Sequence, residues 1–209
     1  MKRPPSQARS VASTNRMLDA AESLFASGGA EAVTIEAVVR QAETSVGSFY
    51  ARFINRDGLL AAMHSRFLEN FEKEAKAGIA VALRQPTIER ALLSFMKQAF
   101  ESARKNRESI LFFVATSATD TSLRHQGLAA NPGFAAAFAA VILPFRDQIK
   151  HQNPEIAIDI AFRIFFAMFI QRALFTPREA TGRAITDTVL AKEITNCLIL
   201  YLVSPAPLS

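Results

Sequence analysis

The chain has 209 residues, half of them hydrophobic, with 8 Gly, 9 Pro, a single Cys and no Trp. That is enough apolar material for a sizeable core, and the abundance of Ala, Leu, Arg, Glu and Lys favours helices over strands. Cys197 stands alone, which excludes an intramolecular disulfide and points to a reducing cytoplasm. The formal charge of +5 is spread thinly: residues 1–60 carry seven basic against six acidic side chains, so net charge does not argue for nucleic acid and local placement has to.

Lys2, Arg3, Arg9 and Arg16 precede the first acid, Asp19. Such an arm can lie on phosphates or in a minor groove, or it can be a frayed soluble terminus. No apolar run follows Met1, so a secretory signal is not expected. The first helix is expected from about Ser10 to Ser27, where Met17, Ala21, Leu24 and Phe25 make one stripe, with Gly28-Gly29 ending it.

Thr34 should cap a short second helix, Ile35 to Gln41, with Val38 and Val39 inward. Ala42-Glu43-Thr44 is a tight turn. Ser45 caps a third helix, about Val46 to Arg52, in which Phe49 and Phe53 share a face. Asn55 caps a long fourth helix, Arg56 to about Leu83, striped by Leu60, Met63, Phe67 and Phe71.

Gln85-Pro86-Thr87 interrupts the helical pattern. A fifth helix follows to Lys105, with Leu92, Phe95, Met96 and Phe100 inward, and a sixth spans Ile110 to Thr116. The stretch from Thr119 to Asn131 is the hardest to read. Pro132 could open the next helix and Pro144 would kink it. Between Arg124 and Arg146 there is no Lys, Arg, Asp or Glu, yet the continuous apolar run Phe134–Leu143 is shorter than the roughly 20 residues a membrane span needs, so a buried helix is expected. Asn153-Pro154 opens a strong helix to about Phe175, and a last one covers Thr186 to Val203, with Pro205 and Pro207 ending the order. No period-2 pattern and no repeat is visible, so the fold class is all-α: a three-helix helix-turn-helix head (1–55) and a helical body (56–209).

Two short helices joined by a three-residue turn form a helix-turn-helix. The second of the pair must enter a major groove, so one face stays small and polar while the other packs inward. In the third helix Phe49 and Phe53 face in, leaving Thr44, Ser45, Val46, Gly47, Ser48 and Arg52 free.

At this point the pattern becomes specific. Leu18, Ala21, Leu24, Phe25 and Gly29, then Thr34–Val38, then Ser45–Leu59 with its Phe49-Tyr50-x-x-Phe53 spacing, resemble the DNA-binding segment of the TetR family over about residues 14–60. The resemblance implies a homodimeric, ligand-responsive regulator, commonly a repressor, of a palindromic double-stranded operator. It implies that Tyr50 and Arg56 meet phosphate. Thr34 would touch phosphate at a helix N-terminus, Thr44, Val46, Gly47 and Ser48 would meet base edges or the groove floor, and Arg52 base or phosphate. Two departures stand out. Glu43 occupies the turn position where the family usually has Gly, and would have to tolerate a left-handed backbone. Val39 occupies the place of a small Ala and could hold the two helices slightly apart.

The Pro154–Phe175 helix is apolar nearly all round and needs cover on two sides. Ile160, Ile164, Ala167, Met168 and Gln171 form one stripe, and Leu190, Ile194, Cys197, Leu198 and Tyr201 another in the last helix. By the resemblance these pair with their two-fold mates into a four-helix dimer interface; burial inside a monomer is the alternative. Phe67, Phe71, Phe95, Met96, Phe100, Phe112, Phe113, Phe138 and Phe166 are candidates to line an apolar effector cavity or to be plain core. Arg163 and Arg172 could orient an anionic group or form salt bridges.

His64, His125, His151 and Cys197 make no metal-ligand cluster, and there is no catalytic motif, so neither metal, cofactor nor catalytic residue is expected. The rival readings are a helical enzyme with an unrecognised site and a lipid-carrying bundle that does not touch DNA.

Overall fold

The computed structural model describes residues 5–204, with side chains from residue 10 onward. Lys2, Arg3, Pro205 and Pro207 lie outside the described residues, as does the Arg9 side chain. Among the described residues there are nine α-helices, one 3-10 turn and no strand.

The head is built from α1 (Pro5–Ala32), α2 (Ile35–Gln41), α3 (Val46–Tyr50) and the start of α4 (Arg56–Ala82). The α1 path breaks at Gly28 and Gly29, where Gly29 takes φ +67, as the paired glycines foretell. Each short helix begins on a side-chain cap. Thr34 Oγ1 accepts from Ala37 N at 3.2 Å, Ser45 Oγ from Ser48 N at 3.1 Å and Asn55 Oδ1 from Gly58 N at 2.8 Å. Helices this short are marginal alone, so caps and packing hold them. The packing is a first core of Met17, Ala21, Val33, Val38, Phe49 and Phe53, closed by Leu59, Leu60 and Met63 of α4. The body comprises α5 (Ile88–Lys105), α6 (Arg107–Ser117), α7 (Thr121–Ile142), a 3-10 turn (Leu143–Gln148), α8 (Pro154–Leu174) and α9 (Asp187–Val203). Its separate core is centred on Leu92, Met96, Phe100, Phe138, Phe165 and Leu198.

α4 therefore serves two cores. Arg66 on its inner stretch also pairs with Asp19 and, at 2.7 Å, with Glu22 of α1.

The hardest stretch to read resolves into α7, which starts well before Pro132. Asp120 Oδ1 accepts from Ser122 N at 2.8 Å and Leu123 N at 3.1 Å, nucleating the helix there rather than at the proline. Pro132 sits inside the helix, and both it and Leu128, whose carbonyl loses its usual partner, are exposed, which leaves that carbonyl open to solvent. The expectation of a buried helix is not met either. The segment Thr121–Gln148 is long and apolar enough to cross a membrane by length and composition alone, yet only 17% of its most apolar window is buried. Alanines and Gly133 fill its outer face, while Leu123, Phe138, Val141 and Ile142 are buried and the helix packs on α4, α6 and α8. One such helix is weak evidence for a membrane.

Candidate nucleic-acid interface and ligand cavities

In α3 the buried side is Phe49 and Phe53, the latter just past the helix end. Ser45, Val46, Gly47 and Tyr50 are exposed, Val46 at 48% and Tyr50 at 53%, while Thr44 and Ser48 are half-buried. Tyr50 is held edge-on to Phe49, with ring centres 5.6 Å apart, which leaves its hydroxyl outward. Thr34 is exposed at the α2 N-terminus. Thr34 and Ser45 accept their cap bonds through oxygen, so each hydroxyl proton remains available to a phosphate.

Two expected contacts take another form. Arg56 Nε donates to the Val33 carbonyl at 2.8 Å and its Nη2 to the Ala30 carbonyl at 2.5 Å. The Ala30 carbonyl also accepts from Val33 N at 3.2 Å, so the arginine at the head of α4 clasps the turn that leaves α1. Arg52 Nη1 donates to the Ser48 carbonyl at 2.7 Å and Ser48 Oγ at 3.0 Å, and its Nε reaches the Ser10 carbonyl at 3.4 Å. Both guanidiniums hold the head together before they meet any DNA. Glu43 does occupy the left-handed region, with φ +48, and is the one non-glycine with positive φ among the described residues. Val39 is buried in the first core.

Two apolar cavities flank α4 in the body. One, of about 350 Å³, lies between α4, α5, α7 and α8; the other, of about 290 Å³, between α4, α6, α7 and α8. They share Phe71, Phe134, Phe166 and Phe169 as a common wall, with Phe71 5.3 Å from Phe134 and 5.5 Å from Phe169 between ring centres. Of the nine expected lining residues, Phe71, Phe95 and Phe166 face the first cavity and Phe67, Phe71, Phe113 and Phe166 the second. Met96, Phe100 and Phe138 line neither cavity: all are fully buried in the second core, where α5 and α7 press together. Phe112 instead packs on Phe25, 5.0 Å away, against the first core.

Sequence reasoning left out Phe134, Phe165, Phe169, Gln98 and Gly78, all on the first cavity's wall. The four-residue step from Phe165 to Phe169 was a usable signal; Phe134 was hidden by the unread start of α7. A third, polar cleft of about 570 Å³ separates α1 from the α5–α6 turn.

On the outer face of α8, Ile160 and Ile164 are 37% and 40% exposed and Ala167 is open, while Met168 and Gln171 are half-buried. In α9, Ile194 and Tyr201 are half-buried, but Leu198 is 1% exposed. Leu198 belongs to the face Ala191-Thr195-Leu198-Leu202 that packs inward, α9 lying on α5. It leaves the expected dimer stripe, and Val189, Cys197 and Leu200 are the exposed apolar side chains there. Arg163 pairs with Asp159 at 2.7 Å and Arg172 pairs with Asp187, so the salt-bridge alternative holds for both.

Residues 17–63 match the family described as bacterial regulatory proteins, tetR family. No curated protein matches the chain. Among solved structures it resembles the transcriptional regulator FadR of Bacillus subtilis, solved in complex with stearoyl-CoA: TM-score 0.65, 13% identity, covering 90% of this chain and 98% of that one. It also resembles GusR of Salmonella enterica (TM-score 0.65, 14% identity, 90% and 95% covered) and the TetR-family regulator PfmR of Thermus thermophilus (TM-score 0.57, 18% identity, 88% and 97% covered). A capped helix-turn-helix thus lies in the segment that matches this family, and the chain shares its all-α fold along its length with these regulators.

Proposed function

We propose that the chain acts in the cytoplasm as a homodimeric repressor of a palindromic operator and that a small hydrophobic effector releases it. The observation that carries this reading is α4. It begins at the Asn55 cap beside the recognition helix, gives Leu59, Leu60 and Met63 to the head core, and lends Phe67 and Phe71 to the cavity walls. A compound that enters either cavity and displaces Phe71 bears on the helix that carries the head. The division is a DNA-binding head, residues 1–55, on an effector and dimer body, residues 56–209, with α4 crossing between their cores.

The DNA face is Thr34, Thr44, Ser45, Val46, Gly47, Ser48 and Tyr50. Arg52 and Arg56 stiffen it and present remaining guanidinium protons. Pairing two copies through Ile160, Ile164, Ala167, Met168 and Gln171 of α8 with Ile194 and Tyr201 of α9 would set two recognition helices about 34–36 Å apart, one DNA turn. A FadR of the same fold was solved with stearoyl-CoA, whose long acyl chain supports an apolar effector group for a body with phenylalanine-lined cavities.

The experiment is selection of bound fragments from genomic DNA, followed by challenge with a panel of apolar and aromatic compounds. An inverted repeat among the recovered fragments and release by at least one compound are expected. Fragments without symmetry, or a complex that no compound disturbs, contradict the reading.

A further inference from the structure

Gly78 lies inside α4, four residues before its end at Ala82, where helix propensity disfavours glycine. A Cβ at that position would stand 2.8 Å from Gln98 Oε1. The missing side chain is what lets Gln98 of α5 lie across α4 into the 350 Å³ cavity. Among the described residues the Gln98 amide forms no hydrogen bond with the protein, and its neighbours in the wall include Phe95, Phe165 and Phe169. Gln98 is half-buried, so a ligand that displaces water from its amide keeps its affinity only by replacing those hydrogen bonds.

The ionic side chains of the same wall are Glu74, Glu101 and Lys105. Lys105 Nζ lies 3.5 Å from Glu74 Oε1, and Ser102 donates to Glu74 Oε2 at 2.7 Å. One cation faces two carboxylates, and that cation is already paired, so the wall is negative overall and repels an anion.

We infer that this cavity selects an uncharged apolar compound bearing one amide- or hydroxyl-type group, which exchanges hydrogen bonds with Gln98, and that it rejects a carboxylate on the same chain. The inference rests on the effector reading above and narrows it to a ligand class; Gln98 is its specificity residue and Gly78 the residue that positions it.

The test uses the full-length protein and the neutral dye Nile red, displaced at pH 7.5 by decanamide, decanol and decanoate, which share one ten-carbon chain. Decanamide and decanol should displace the dye at concentrations about tenfold below decanoate, a difference of about 1.4 kcal/mol. Gln98→Leu should retain the dye and weaken decanamide about tenfold while leaving decanoate unchanged. Gly78→Ala should weaken decanamide in the same way by pushing the amide aside, without loss of helix. Glu101→Gln should strengthen decanoate. Decanoate competing as well as decanamide, or decanamide unaffected by both Gln98→Leu and Gly78→Ala, would overturn the inference and leave the effector reading intact. No binding of Nile red or of any of the three compounds would remove both.

Discussion

His64 of α4 and Gln126 of α7 meet through Nδ1 and Oε1 at 3.0 Å, with the imidazole tilted against Phe113, ring centres 4.4 Å apart. Nδ1 donates to the amide oxygen, so the pair joins the head-proximal turn of α4 to the body. Burial lowers the His64 pKa from its ordinary 6.5, outweighing the Gln126 bond, which raises it. The folded protein thus favours neutral imidazole, whereas the unfolded chain takes up a proton as pH falls below 6.5. The stability this contributes is present above pH 6.5 and is lost as pH falls from there toward the lower folded value, by at most about 1.4 kcal/mol per pH unit for one proton. Urea unfolding between pH 8 and 5.5 should show that decline, and His64→Gln should flatten it.

Arg56→Ala should destabilise the head as well as weaken DNA binding. It removes two hydrogen bonds to the Val33 and Ala30 carbonyls, which is worth about 1–3 kcal/mol. Arg56→Lys keeps the charge but not the two-pronged geometry. Equilibrium unfolding should rank wild type above Lys above Ala; equal stabilities would show that these bonds hold nothing.

Glu43→Gly relieves a left-handed backbone at φ +48. A gain of about 1 kcal/mol is expected, because glycine adopts this conformation without strain. The change also removes a carboxylate beside the recognition helix, so DNA affinity should rise, most at low salt. Thermal unfolding and DNA titration check the two effects separately.

Ile164→Glu places a charge on the exposed apolar face of α8, where Ile164 is 40% exposed. Sedimentation should find a dimer for wild type and a monomer for the variant, with DNA affinity falling in step as the second half-site contact is lost. A Leu198→Ala control behaves differently. Its side chain is 1% exposed, so it should lower stability by about 2–5 kcal/mol through a core cavity rather than by splitting a dimer.

What could be read from the residues alone was whatever is settled locally. Thr34, Ser45 and Asn55 announce their helices because a cap needs only its own next turn, and Glu43 announces its strained turn for the same reason. The inward face of α9 could not be read that way: Leu198 and Leu200 are the same residue type, and only the packing of α9 on α5 decides that Leu198 is buried and Leu200 exposed. The cavities were harder still, since the buried Phe100 and Phe138 are chemically identical to the cavity-lining Phe95 and Phe166 until α4, α5, α7 and α8 are placed. The role of Arg56 was hidden by distance, its partners lying 23 and 26 residues away. α7 was obscured by Pro132, whose missing bond matters little on a water-facing side.

The most direct test of the central claim is the affinity of the purified protein for the DNA just upstream of its own gene, measured across salt concentrations for wild type and Tyr50→Phe. Saturable binding to a palindromic stretch is predicted, falling steeply with salt as phosphate contacts require. Loss of the outward hydroxyl should weaken it several-fold, about 1 kcal/mol, with the fold unchanged. Binding no tighter than to unrelated DNA both there and across a genome-wide set of fragments, or an affinity indifferent to Tyr50→Phe, would contradict the account.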